Sequence, residues 1–195
     1  MLKILTLLFL LAAPFDVVLH GGSKTQGSQG GAVVNVAANQ YHNDKRIREL
    51  VTAGLEVKFR FKIQLCHRGG WIDNCYDRRL HISKIAKDSL SGNFKVTLDR
   101  FYDDKQPISR TYESYDEAIQ ASTSVEDLSA AYLTDNKDPL IFKKGAKATR
   151  NYIRIRLTTS CKEADRDVGD WISYLMSFGG VDTRDEDTGW VEYDL

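Results

Sequence analysis

Cys66, His67, Cys75 and His81 are the residues whose types could do chemistry, since thiolate and imidazole are zinc's preferred ligands and a cysteine beside a histidine can make a nucleophile. Their spacing argues for something plainer. Neither a C-x2-C knuckle nor an H-x3-H pair is present, and neighbouring strand residues such as Cys66 and His67 point to opposite faces. Cys66 and Cys75 flank Gly69-Gly70, where a reversal can bring them opposite each other within disulfide reach. A Cys66–Cys75 disulfide is therefore the expected pairing. An enzyme with a Cys-His or zinc site around Cys66, His67, Cys75 and His81 is the alternative. Cys161, beside Lys162, Glu163 and Asp165, reads as an unpaired or partly buried thiol rather than a catalyst. No G-x-S-x-G, H-E-x-x-H, G-x-x-x-x-G-K-[ST] or G-x-G-x-x-G motif occurs, so the familiar hydrolase, metalloprotease and nucleotide-binding schemes are absent. The acidic runs Asp103-Asp104 and Asp185-Glu186-Asp187 lack calcium-loop spacing and read as solvated turns. No catalytic residue, metal or cofactor is assigned.

Electrostatics offers more. Lys58, Arg60 and Lys62 share one face of an alternating run, Arg79 and His81 share another, and Arg154 and Arg156 a third. If these strands lie in one sheet, a basic face forms, able to receive anionic lipid headgroups, an acidic protein or the chain's own acidic C-terminal stretch. The competing reading is an ordinary solvated face whose charges oppose aggregation. Trp71, between Gly70 and Ile72 at a hairpin tip, is the best single contact residue, though it could equally fold back on the core. Lys plus Arg and Asp plus Glu both number 27, so there is no bulk attraction for nucleic acid and any charge-driven binding is local.

The elements that must position these residues are mostly strands. Val57, Phe59, Phe61, Ile63 and Leu65 alternate with charged and polar neighbours, which predicts a half-buried strand. Leu80 and Ile82 alternate with Arg79 and His81 in a returning strand, so residues 55–85 form a hairpin; Phe94, Val96 and Leu98 follow the Ser91-Gly92 turn. Ile153, Ile155 and Leu157 supply another strand, and residues 190–195 a last one. Val34 and Val36 open a short strand. Asn43 or Asp44 caps a helix to about Thr52, stopped by Gly54, and Ser114 with Glu117 starts a short helix through Ala121. Ile108 to Tyr112 looks extended, while Leu128 to Leu133 fits strand or helix and closes at Asn136, Asp138 and Pro139. Residues 171–178 lean towards strand. The fold class is mostly β: an antiparallel β-sandwich or strongly curved sheet with one or two short helices.

Lys3 and the apolar run Ile4 to Ala13 suit a signal peptide and are too short to span a bilayer, so residues 1–22 read as a leader. An uncleaved N-terminal anchor continuing through Val17, Val18 and Leu19 is the alternative. Residues 23–31 read as a flexible Gly/Ser/Gln linker, and 32–195 as a single β-rich domain. Export places the protein in the periplasm or cell envelope, where a disulfide persists. No cysteine precedes Cys66, which excludes a lipid-modified cysteine just after the leader.

From Val33 to Leu195 the order of features resembles the bacterial family called domain of unknown function 4390. The matching pieces are the helix ending at Gly54, the long strand from Leu55, Trp71 followed by Asp73, the Ser114-x-x-Glu117-Ala118 element, the Tyr152-x-Arg154-x-Arg156 strand and Gly189-Trp190. The cysteines around Trp71 depart from that pattern, as does the lack of a proline-containing stretch before Trp171. The resemblance implies an exported envelope protein and carries over no catalytic residue. The functional expectation is a non-enzymatic module recognising an envelope protein or an anionic lipid surface through Lys58, Arg60, Lys62, Arg79, Arg154, Arg156 and Trp71.

Overall fold

The computed structural model describes residues 14–20, 33–68, 71, 73–100, 106–134, 151–162 and 186–194. In chain order the elements are β1 (Asp16–His20), β2 (Val33–Ala37), a single 3-10 turn (Asn39–Tyr41), α1 (Lys45–Thr52), β3 (Glu56–His67), β4 (Asn74–Cys75), β5 (Arg79–Lys87), β6 (Phe94–Arg100), β7 (Ile108–Tyr112), α2 (Tyr115–Ser122), β8 (Ser124–Ser129), α3 (Ala130–Leu133), β9 (Asn151–Lys162), β10 (Glu186–Asp187) and β11 (Val191–Asp194). The fold is mostly β and antiparallel, as the alternation predicts.

β3 is the spine. Val57, Phe59, Phe61, Ile63 and Leu65 are all buried, while Lys58, Arg60 and Lys62 take the opposite face. Each large apolar side chain withdrawn from water is worth about 1.5–3 kcal/mol, so a one-residue slip, which would exchange this row for the cations, is strongly disfavoured. β9 pairs with β3 along its whole length, from Glu56↔Lys162 to His67↔Asn151. β5, β6 and β7 extend the sheet on the other side, β4 pairs with the end of β3, and β10 and β11 both flank β9, giving an eight-stranded sheet. A second sheet of order β1-β2-β8 shares one hydrophobic core with its inner face, as do the helices.

Local chemistry explains both longer helices. Asp44 accepts the Ile47 N–H at 3.1 Å, Ile47, Leu50 and Val51 are buried on one side of α1, and Gly54, at φ +87°, ends it in a left-handed conformation that glycine adopts without strain. Ser114 caps α2 by accepting the Asp116 N–H at 3.2 Å, with Asp116 and Glu117 suitably acidic in the first turn. No helix among the described residues is long and apolar enough to cross a membrane.

Several expectations change. The domain begins earlier than residue 32: Phe15 is 2% exposed in the core, and β1 pairs with β2 from Asp16↔Ala37 to His20↔Val33. The apolar triplet Val17-Val18-Leu19 fits the end of a leader as well as a strand. On β5 the polar residues face inward: Phe61 opposes His81, Phe59 opposes Ser83, and Leu80 and Ile82 lie on the cationic side. Ile85, fully buried opposite Val57, sets that parity, and the buried Ser83 hydroxyl donates to the Ser122 carbonyl. The stretch Leu128–Leu133, which fits strand or helix, is both: the end of β8 and then α3. Glu186–Asp187 is strand β10 rather than the end of a solvated loop. The apolar run Ile4–Ala13, the Gly69-Gly70 reversal, Asp103-Asp104, the turn at Asn136, Asp138 and Pro139, and residues 163–185 lie outside the described residues.

Candidate functional site

The pairing of β3 with β5 and β9 decides which cations meet. Lys58 lies between Lys84 and Ser160, Arg60 between Ile82 and Thr158, Lys62 between Leu80 and Arg156, and Gln64 beside Arg154. Lys58, Arg60, Lys62, Arg154 and Arg156 thus share the face of the large sheet that points away from the core, over about 13 Å between Lys58 and Lys62 at ~3.3 Å per residue. Lys84 joins them, opposite Lys58, because the polar residues of β5 at His81 and Ser83 turn inward, a parity that the alternation of Leu80 and Ile82 does not predict. Arg79 does not join them. Opposite Ile63 on the core side, its guanidinium donates to the Tyr132 carbonyl.

The cations differ in how far their charge is matched. Arg156 holds Asp187 in a fork, its Nε donating at 2.9 and 3.1 Å with a second bond from Nη2. This contact, helped by the Gly189 N–H, holds the Asp187 carboxyl at about 2. Glu186 pairs with Arg46 of α1 at 2.7 Å. Part of the acidic C-terminal stretch therefore does meet the basic face, at Arg156. Arg154 donates from Nε and Nη2 to Gln64 Oε1 at 3.0 and 2.8 Å and stacks 4.7 Å from the Trp190 ring centre. Lys84 reaches Glu56 only at 4.0 Å. Lys58, Arg60 and Lys62 form no ion pair or side-chain hydrogen bond with any described residue.

Cys66 and Cys75 are joined in a disulfide with Cα atoms 4.0 Å apart, tying the segment between them to the end of this face. Polar bonds fix the same segment: Tyr76 N–H donates to the Leu65 carbonyl at 3.0 Å, and the Tyr152 hydroxyl to Asp73 at 2.7 Å. Burial, reinforced by the Asp73 carboxylate, pushes the Tyr152 phenol up to about 12. Arg68 stacks 4.5 Å from the Tyr152 ring and pairs with Asp194 at 2.9 Å. Trp71, within this tied segment, is fully exposed and does not fold back on the core. Comparison of the chain with protein-family models, curated proteins and solved structures finds no match.

The Cys-His alternative needs a free thiolate with an imidazole in reach of it. A disulfide leaves neither Cys66 nor Cys75 a thiolate for a metal or a substrate. His67 is engaged with Asn151 Oδ1 at 2.7 Å, and His81 is buried on the other side of the sheet with its ring 6.0 Å from that of Phe61. Among the described residues no group of three or more His, Cys, Asp and Glu could hold a metal ion. What the outer face can offer is recognition: a row of like charges about 7 Å apart, flanked by Glu56 and by Asp187, whose carboxylate also feels Lys62, can attract an extended anionic surface.

Proposed function

We propose that this chain is an exported, non-enzymatic envelope module that docks on an anionic lipid surface through the outer face of β3, with Trp71 as an interfacial contact. The observation that carries the reading is the row Lys58, Arg60 and Lys62, held on one side of a sheet and ion-paired with no described residue. A strand row suits a flat charged surface better than a pocket-bound ligand. The exposed Trp71 at the disulfide-tied end supplies the amphipathic ring that favours a lipid–water boundary. Arg156 and Arg154 contribute less, because Asp187 and Gln64 already satisfy them. An acidic protein is the competing partner.

Sedimentation with vesicles of phosphatidylglycerol and phosphatidylcholine tests this. With about 1 kcal/mol per basic residue near an anionic membrane, the triple variant K58Q/R60Q/K62Q is expected to bind about a hundredfold more weakly. Binding of the native chain should fall with salt, and Trp71 fluorescence should shift to the blue. Equal binding to purely zwitterionic vesicles, or an unchanged triple variant, would refute the reading.

A further inference from the structure

On the other side of the same sheet a cleft of about 470 Å³ opens between the inner face of β5–β7, α2 and β8. Its size lies within the range of small-molecule sites. The register puts Arg110 on the inner side of β7, opposite Val96, so its guanidinium stands on the sheet wall. Glu117 of α2 and Glu126 and Asp127 of β8 line the cleft with it. In a regular strand consecutive residues face opposite ways, yet Glu126 and Asp127 both border this space. The cause is local. The β2/β8 register shifts between Val34 and Val36, and Asp127 adopts φ 55° while its N–H donates to Asn35 Oδ1 at 2.9 Å. A left-handed non-glycine residue at a bulge is a strained arrangement of the kind concentrated at working sites.

Of the five charged side chains that line the cleft, all but Arg100 are unmatched among the described residues. Arg110, Glu117, Glu126 and Asp127 form no side-chain hydrogen bond or ion pair with one another or with any described residue, although they border one cavity. Opposite charges held around a common space but out of reach of one another leave a gap that a ligand carrying both signs would bridge.

We propose that this cleft is a binding site for a small zwitterion, its ammonium end received by Glu117, Glu126 and Asp127 and its carboxylate or phosphate end by Arg110. The site is independent of the cationic outer face, from which the sheet separates it. A small peptide and a phosphoethanolamine headgroup both carry this chemistry.

Calorimetric titration of the full chain distinguishes them, using alanyl-alanine, glycerophosphoethanolamine, and the half-ligands N-acetylalanine and ethylamine. One of the two zwitterions is expected to bind, and which one identifies the source. Each half-ligand should bind at least about tenfold more weakly, as loss of a charge-assisted hydrogen bond requires. Arg110→Gln and Glu126→Gln, both at exposed side chains and so harmless to the core, should each cost a similar factor. The proposal is overturned if neither zwitterion binds at about 10 mM, if a half-ligand binds as well as its zwitterion, or if both variants bind as the native chain does.

Discussion

Cutting the chain after residue 22 and cutting it after residue 13 should give very different proteins. The shorter chain loses β1 and Phe15, which is 2% exposed in the core. Truncating a buried phenylalanine costs about 3–5 kcal/mol. The Phe15 backbone also donates to the Tyr193 hydroxyl at 3.1 Å and accepts from it at 3.0 Å, a reciprocal clamp worth roughly 1 kcal/mol per bond. The loss of about 5 kcal/mol or more compares with the 5–15 kcal/mol that holds an ordinary domain together. Urea unfolding followed by tryptophan fluorescence should therefore show a chain starting at Pro14 to be cooperative and one starting at Ser23 to be barely folded. Phe15→Ala in the longer chain gives an intermediate case that still folds, about 3–5 kcal/mol down. If the two truncations unfold within about 1 kcal/mol of each other, β1 is not part of the fold and the argument fails. The proposed leader must end before Phe15, so the mass of the chain recovered from the envelope should begin at or before that residue.

Replacing both Cys66 and Cys75 by alanine should lower stability by about 2.5 kcal/mol, from the entropy of a loop closed over a separation of 9 residues, and guanidinium midpoints of the two proteins would measure it. The tied segment itself should stay in place, because Tyr152–Asp73 and Tyr76–Leu65 bonds hold it independently. Asp187, depressed from 3.8 to about 2 chiefly by Arg156, contributes stability that is complete above its unfolded value and lost as pH falls through the folded one. Because both partners are about a third exposed, the contribution is screened to below about 1 kcal/mol. The stability difference between the native chain and Asp187→Asn should accordingly vanish between about pH 4 and pH 2, and acid titration of both by circular dichroism checks this.

What the sequence disclosed follows from how strongly each signal was determined. The apolar row from Val57 to Leu65 admits one parity, and its strand, its burial and the cationic face behind it follow. The caps Asp44 and Ser114 announce their helices by local side-chain chemistry, and the cysteines flanking a Gly-Gly pair announce their bridge. β5 was legible as a strand but not in its orientation, because Leu80 and Ile82 outweigh Arg79 and His81 in hydropathy. Parity there is set by Ile85 and by partners on β3, information that lies across the sheet. β1 was hidden for a different reason, since an apolar triplet behind a leader looks like more leader until Val34 and Val36 are seen opposite it. The cleft was invisible altogether. Arg110, Glu117, Glu126 and Asp127 belong to separate elements that only tertiary packing and a register shift bring around one space.

The inward turn of β5 links the two candidate surfaces. Had Leu80 and Ile82 faced the core, His81 and Ser83 would have broken the outer row beside Arg60 and Lys62, and large apolar side chains would have filled the inner side where the cleft begins. Instead His81 sits on the cleft floor with Arg100 opposite it on β6. Leu80 meanwhile lies beside Lys62 on the outside, and Ile82 between Arg60 and Asp99, where partly exposed apolar side chains lower the cost of approaching a lipid surface. One parity choice, made by Ile85, thus leaves the inner side polar enough to hold a small charged ligand and the outer side amphipathic enough to meet an anionic membrane. A paired exchange at Leu80 and Ile82 to serine should then weaken vesicle binding while leaving the cleft intact, since neither side chain borders it.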